Sequence, residues 1–257
     1  MDDFKIIHTT HETIKQFGMC GYKNPKKPGY LQKLNWYADF NDHKINIDIL
    51  HSHKAGTQGM LEYVDIEYCW RPISAQNYFF IHCLFVGFRK EYKKQGFASK
   101  MLEQCYQDAI DQKKNGLAVL TRKGSFMAND SVFLNNGFKK IENIKPNFQL
   151  LIKKINLSAP NPCFIDNTNL LESKYNKGLF FLRAAQCPYT VKNVNEMIAA
   201  AKEKFGLTPT LLNIQSHQQA QQNPSPFGVF CIIYNGKILS HHPISKNRFC
   251  NIMEKTL

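Results

Sequence analysis

The stretch EYKKQGFASKML, Glu91–Leu102, sets two lysines, a glutamine and a glycine directly before a run whose apolar residues recur at helical spacing. A glycine-bearing turn that feeds a helix leaves main-chain N–H groups without intrahelical partners, and such groups gather anions, phosphate above all. Gly96 would let the main chain approach oxygen atoms closely, small Ala98 would keep the helix start uncrowded, and Lys93 and Lys94 add compact positive charge. Taken alone, a polar turn entering a helix explains the same residues. Upstream, the run IHCLFV contains His82, whose ordinary pKa suits proton transfer, beside Cys83. A hydrogen-bonded core histidine and an inert buried thiol are the plainer readings of that pair. Glu62, Asp65 and Glu67 precede it as further candidate bases. Cys187 lies just before a second helical pattern, where a thiol is more readily ionised. His51/His53 and His241/His242 have no cysteine or carboxylate at ligand spacing, so no metal is expected.

The elements that must position these groups follow from periodicity. FKIIHTT reads as a strand, HETIKQFGMC and YLQKLNWYADF as helices around the turn-rich GYKNPKKPG, and KINIDILHSH with GMLEYVDIEY as a hairpin. YFFIHCLFV is nearly continuous in apolar residues, as in a strand buried on both faces. The next helix stripes Ala98, Met101, Leu102, Cys105 and Ala109, and Asn115–Gly116 is expected to stop it. LAVLT, FKKIE and FQLLIKKI read as strands, with NDSVFLNNG a short helix capped by Asn129 or Asp130 and ended by Gly137. Residues 156–170, rich in proline and asparagine, read as a linker. Beyond it come a strand GLFFLRAA, a helix with Val191, Val194, Ile198, Ala201 and Phe205 on one face, a strand TPTLLNI, a hairpin around Asn235–Gly236 and a final helix KNRFCNIMEK.

With 257 residues, 43% of them apolar and 21% charged, the chain is globular and large enough for two units. Its net charge of +13 points to anionic partners. No stretch approaches the length of a membrane span, and the acidic start MDDFKIIHTTHE lacks the features of a signal peptide. Eight cysteines scattered without C-x-x-C spacing suit reduced thiols, so a cytoplasmic protein is expected. A nucleic-acid partner has little support, since no basic run is interleaved with aromatics.

Three segments in order, IHCLFV, KKQGFA and VFLNNGF, resemble the central strand, the Q/R-x-x-G-x-G/A loop and the L-Y-x-x-x-G-F helix of the GNAT superfamily of acyl-CoA-dependent N-acyltransferases. The resemblance implies an α/β (α+β) architecture with a mixed, splayed central sheet over residues 1–155. It implies acetyl-CoA as acyl donor, with the pyrophosphate on Lys93, Lys94, Gln95, Gly96, Phe97, Ala98 and Ser99. The pantetheine arm would lie along the main chain of Leu84, Phe85 and Val86, and Phe133 would stand near the cofactor. It further implies direct attack by an amine, borne by a small molecule or peptide, in a ternary complex. Where the family often carries a proton-donating tyrosine this chain has Phe133, which cannot donate; Tyr92 and Ser125 are sequence-adjacent substitutes. The catalytic candidates are His82, Glu67 and Cys187, with no base assigned. The GYKNPKKPG loop would line the acceptor side.

Residues 171–257 resemble a smaller thioredoxin-like domain, with Cys187 in the place of the first active-site cysteine, Thr190 in that of the second, and Pro226 in the slot of a cis-proline. The pairing of the two units resembles acetyltransferases that carry a YoaP-like C-terminal domain. Two alternatives follow from these departures: a non-catalytic CoA-binding regulator, and a thiol-dependent activity through Cys187.

Overall fold

Strand-forming runs between Lys5 and Lys154, some alternating and some nearly continuous in apolar residues, give seven strands that hydrogen-bond into one mixed sheet. The computed structural model describes residues 3–22, 24–40, 45–87 and 89–257. In chain order the first elements are β1 (Lys5–Thr9), α1 (Tyr30–Asp39), β2 (Asn46–Ser52), β3 (Gly56–Asp65), β4 (Ile73–Ser74) and β5 (Phe79–Val86). They are followed by α2 (Phe97–Asp111), β6 (Gly116–Arg122), α3 (Asp130–Leu134), β7 (Lys139–Ile144), β8 (Phe148–Lys154) and β9 (Cys163–Phe164). The large sheet runs β1-β2-β3-β5-β6-β8-β7. Only β5 and β6 are parallel, as a helical crossover through α2 requires.

HETIKQFGMC, expected to be a helix, forms one 3-10 turn at Thr13–Gln16. Gly18 follows with φ of +81°, and its N–H donates to the Ile14 carbonyl, which closes the turn and stops propagation. The apolar stripe of α2 is buried at Met101, Leu102, Cys105 and Ala109, with Phe97 added at its start and Ala98 only half-buried. These side chains pack on Leu61, Tyr63, Phe79, Ile81, Leu117 and Val119 of the sheet. Each aliphatic chain removed from water there contributes about 1.5–3 kcal/mol.

The stop of α2 is not Asn115–Gly116. Lys113 takes the left-handed conformation at φ +54°, and the Lys114 N–H reaches back to Ala109 O at 2.8 Å. Gly116 serves a different need: a Cβ there would sit 2.3 Å from the Lys153 carbonyl oxygen, so it permits β8 to approach β6. Gly137 does end α3, with φ of +83° and the Phe138 N–H bonded to Phe133 O.

The chain divides into two units. The first comprises residues up to Asn24, Tyr37–Cys69 and Ile73–Phe164; the second comprises Pro25–Trp36, Trp70–Pro72 and Ile165–Leu257. Within the 156–170 segment, β9 pairs with β4 and the Phe164 N–H donates to Glu142 Oε2.

The second unit contains α4 (Leu170–Ser173), β10 (Leu179–Ala184), α5 (Tyr189–Phe205), β11 (Thr210–Ile214), α6 (His217–Gln221), β12 (Phe230–Tyr234), β13 (Lys237–Ser240) and α7 (Lys246–Glu254). Its sheet runs β11-β10-β12-β13, with β10 and β11 parallel and the other pairs antiparallel. The unit is thus a parallel β-α-β step followed by a hairpin and a closing helix. Asn235 and Gly236 both have positive φ, 46° and 76°, giving the tight primed turn the hairpin needs. The buried face of α5 is rotated from the expected stripe: Met197 and Ala200 are buried, whereas Ile198 and Phe205 are only half-buried.

Candidate functional site

The main feature of the first unit is a parting of the sheet at its centre. β5 registers with β6 over three residues only, Phe79↔Leu117, Phe80↔Ala118 and Ile81↔Val119. Beyond Ile81, β5 continues to Val86 and β6 to Arg122 without pairing to each other. Leu84, Phe85 and Val86 keep their ladder with Leu61, Met60 and Gly59 of β3, so their opposite main-chain edge faces the parted side.

A bulge prepares this parting. Ile81 pairs with Tyr63 and Cys83 with Glu62, which leaves His82 as the extra residue of β5. The bulge resets side-chain alternation, so Phe79, Ile81 and Leu84 all join the core beneath α2. His82 Nδ1 lies 3.1 Å from Glu62 Oε1, and both side chains are fully buried. A carboxylate behind an imidazole fixes its tautomer and orientation. Cys83 is half-buried beside them.

The loop after β5 forms a 3-10 turn at Lys90–Tyr92 and then extends. The Lys93 N–H is committed to Lys90 O at 3.1 Å. Its side-chain stem packs on Gly87, where a Cβ would lie 2.7 Å from Lys93 Cγ. From Lys94 onward the situation reverses. Among the described residues, no group of the protein accepts from the N–H groups of Lys94, Gln95, Gly96, Phe97, Ala98 or Ser99. Gly96 caps α2 in the left-handed region at φ +75°, and nothing lies within 4 Å of where its Cβ would be. Lys93, Lys94, Gln95 and Ser99 are exposed, and the Gln95 amide folds back to the Glu91 carbonyl. Phe97 is turned inward against Phe4, ring centroids 4.6 Å apart, which anchors the helix start.

Other sequence candidates lie elsewhere. Glu67 is exposed in the turn after β3, its Oε1 accepting the Asn77 N–H at 2.6 Å. Asp65, paired in register with Phe79, binds Lys114 Nζ at 2.5 Å. Both therefore stand at the end of β5 remote from the parting. Phe133 is buried, its ring packed edge-on against Phe138 at 5.3 Å, so it fastens α3 to the core. Tyr92 packs edge-on against Phe4, and the Ser125 carbonyl accepts from Arg122. The sequence reading passed over Thr121. It is fully buried on β6 within the parted stretch, and its hydroxyl has no hydrogen-bond partner. A threonine in a strand is ordinary, so nothing in the sequence marks it.

A polar network crosses the sheet on the α2 side. His8 Nδ1 lies 2.9 Å from Asp48 Oδ1, and the Tyr63 hydroxyl donates to Asp108 Oδ2 at 2.5 Å. The hydrogen bond to Asp48 raises the His8 pKa above 6.5, while burial raises those of the Asp48 carboxyl and the Tyr63 hydroxyl. These groups tie β1, β2, β3 and α2 together and stand apart from the parting.

In the second unit, Cys187 is a half-buried thiol immediately before the Pro188–Tyr189 start of α5. Thr190 is fully buried, its hydroxyl within bonding reach of the Ala184 and Cys187 carbonyls at 3.0 and 2.9 Å. The Pro226 expectation is corrected. Among the described residues only Lys145–Pro146 is cis, so Ser225–Pro226 is trans. The Gly228 N–H closes a turn on Ser225 O at 2.9 Å, and such a turn takes a trans proline at its second position.

Of the acceptor-side loop, Gly21 and Tyr22 border a cavity of the first unit, and Lys23 lies outside the described residues. Among the described residues no three His, Cys, Asp or Glu side chains are grouped to hold a metal, and no helix is long and apolar enough to cross a membrane.

Comparison with known proteins gives three kinds of likeness. A family described as YoaP-like matches residues 210–251. A Bacillus subtilis (strain 168) protein named "Uncharacterized N-acetyltransferase YoaP" is 26% identical over 247 residues, 95% of this chain and 96% of its own. Among solved structures, yncA from Salmonella typhimurium with its cofactor acetyl-CoA aligns at 13% identity and TM-score 0.43, covering 62% of this chain and 98% of that one. Ribosomal-protein-alanine N-acetyltransferase from Brucella melitensis aligns at 13% identity and TM-score 0.43, covering 59% and 99%. The GNAT fold of the first unit rests on the chain's own strand order and parting; the relationship to the Bacillus subtilis protein spans nearly the whole chain, and the YoaP-like match lies within the second unit.

Proposed function

We propose that this chain is an acetyl-CoA-dependent N-acetyltransferase of the GNAT type. The observation that carries the reading is the run of unpartnered N–H groups from Lys94 to Ser99 beside a sheet parted after Ile81. The residues present fit the donor. Main-chain donors with open space before Gly96 suit a pyrophosphate, and the exposed ammonium groups of Lys93 and Lys94 add charge without a metal. The edge of Leu84–Val86 turned away from β3 suits the amide groups of a pantetheine arm, and the Thr121 hydroxyl, without a hydrogen-bond partner among the described residues, offers that arm one.

Bound there, acetyl-CoA supplies an acetyl group activated as a thioester. The chain's residues have the tasks of holding it extended, orienting its carbonyl against a main-chain donor, and handling one proton. His82 with Glu62 is the best-built candidate for the proton. With Glu62 ionised, Nδ1–H donates to it and Nε2 becomes the basic nitrogen. Glu67 and Asp65 stand too far along the strand for that task. Residue 133 contributes packing and no proton.

The buried apolar ring of Phe133 favours a second reading, a regulator that binds CoA without turnover. Titration calorimetry with acetyl-CoA, followed by an amine panel with free-thiol detection, tests both. Binding with thiol release above background supports the transferase. Binding without release for every amine supports the regulator, and absence of any complex overturns both.

A further inference from the structure

The first unit contains a cavity of about 290 Å³ on the sheet face opposite α2. Leu50 and Leu84 belong to the core beneath α2, so their neighbours Ile49 and Phe85, which line the cavity, face the other way. Phe17 and Tyr22 complete its apolar walls. Phe85 also belongs to the strand edge assigned above to the pantetheine arm, so the cavity meets the donor site at that residue.

The outer wall is built in advance of any ligand. Met19 and Tyr22 exchange both main-chain hydrogen bonds, at 2.9 and 2.7 Å, around Cys20 and Gly21 in left-handed conformation. The Thr57 hydroxyl fastens this loop to β3 through Phe17 O at 2.9 Å. On the other side Gln58 ties the exit of β5 to β3, its carbonyl accepting the Gly87 N–H at 2.7 Å and its side chain the Arg89 N–H at 3.4 Å. Arg89 is thereby held at the cavity edge. Among the described residues its guanidinium has only a loose ion pair to Glu91, 3.9 Å apart with both side chains more than half exposed, which contributes little. Among the described residues the lining contains no aspartate or glutamate.

We propose that this cavity is the acceptor pocket, and that its acceptor is a small primary amine carrying an apolar or aromatic group and a carboxylate, the carboxylate taken by Arg89. The proposal rests on the transferase reading and adds its substrate class. At about 30 Å³ per water-sized group the space holds about ten such groups, which suits an amino-acid-sized molecule and is too small to enclose a longer peptide. Planar bidentate pairing is what a guanidinium offers a carboxylate. A lining with one cation and no anion repels polyamines and favours the neutral, attacking form of the amine. Transfer forms one N–C bond and breaks one C–S bond, the sulfur keeping the electron pair and taking up the proton that the nitrogen gives up.

The test compares kcat/KM of the full chain for L-leucine and L-phenylalanine with that for isoamylamine, phenethylamine and spermidine, at saturating acetyl-CoA, with acetyl-CoA binding measured separately by calorimetry. The carboxylate-bearing amines should lead by about tenfold or more, the difference lying in KM. Arg89→Ala should erase that lead and Arg89→Lys should restore part of it. If acetyl-CoA binds but the decarboxylated amines or spermidine react as well or better, or no member of the panel reacts, the substrate class is wrong while donor binding stands. If acetyl-CoA forms no complex, the transferase reading fails first and this one with it.

Discussion

Two helices in this protein begin in the same way, directly after a strand and a short loop, yet their N-termini are in opposite states. At α2 the donors of Lys94 to Ser99 are bare, and Gly96 looks onto open space. At α5 the Thr190 N–H is bonded to Cys187 O and the Val191 N–H to Pro188 O, while proline removes one donor altogether. Gly29 is pressed so closely on that turn that a Cβ would lie 2.0 Å from the Pro188 carbonyl oxygen. Both helices carry the same dipole. Packing, and not the dipole, separates a terminus that can receive an anion from one that is closed.

The largest effect should come from the two glycines. Gly29→Ala forces a clash at φ +92° and should lower unfolding stability by about 3 kcal/mol, read by chemical denaturation. Acetyl-CoA affinity measured where the variant is folded should stay within about twofold, because the proposed anion site is built from other residues, Lys94 to Ser99. Gly96→Pro should do the reverse. Proline's fixed φ opposes the observed +75°, so acetyl-CoA affinity should fall by about a hundredfold. A large stability loss with intact affinity would break the contrast.

A smaller effect sharpens it. Replacing Lys93 and Lys94 together by alanine should weaken acetyl-CoA about five- to tenfold at low salt and less at high salt, since exposed charges are screened. The same change without salt dependence would mean that the lysines act by packing. The smallest effect belongs to Cys187→Ser, which should leave kcat and KM for acetyl transfer within about twofold, as expected for a closed terminus. A loss beyond tenfold would give the thiol a part in the reaction.

The elements were largely legible in sequence because their periods are clean. KINIDILHSH and GMLEYVDIEY alternate, and the α2 stripe recurs at helical spacing. The KKQGFA segment was legible as a glycine-bearing turn entering α2, but a polar turn has the same residues, and the unpartnered N–H groups of Lys94 to Ser99 emerge only in the fold. What escaped was set by contacts between distant segments. The bulge at His82 depends on the register of β3, so the pairing with Glu62 could not be read from either strand alone. Gly116 looked like a helix stop because its actual role, closeness to Lys153, involves a strand far along the chain. Pro226 was read by analogy with a cis slot, whereas the turn from Ser225 to Gly228 settles its geometry locally. Thr121 became conspicuous only through what fails to surround it.

The three-rung contact between Phe79–Ile81 and Leu117–Val119 makes the large sheet a book with a short spine, one cover of four strands and one of three. An extended ligand bearing amide groups can enter such a book as the missing page, bridging both covers. Occupancy should then be written in the backbone itself: deuterium uptake at Leu84–Val86 and Leu120–Arg122 should slow together when the page is in place, while the spine, already closed, records no change.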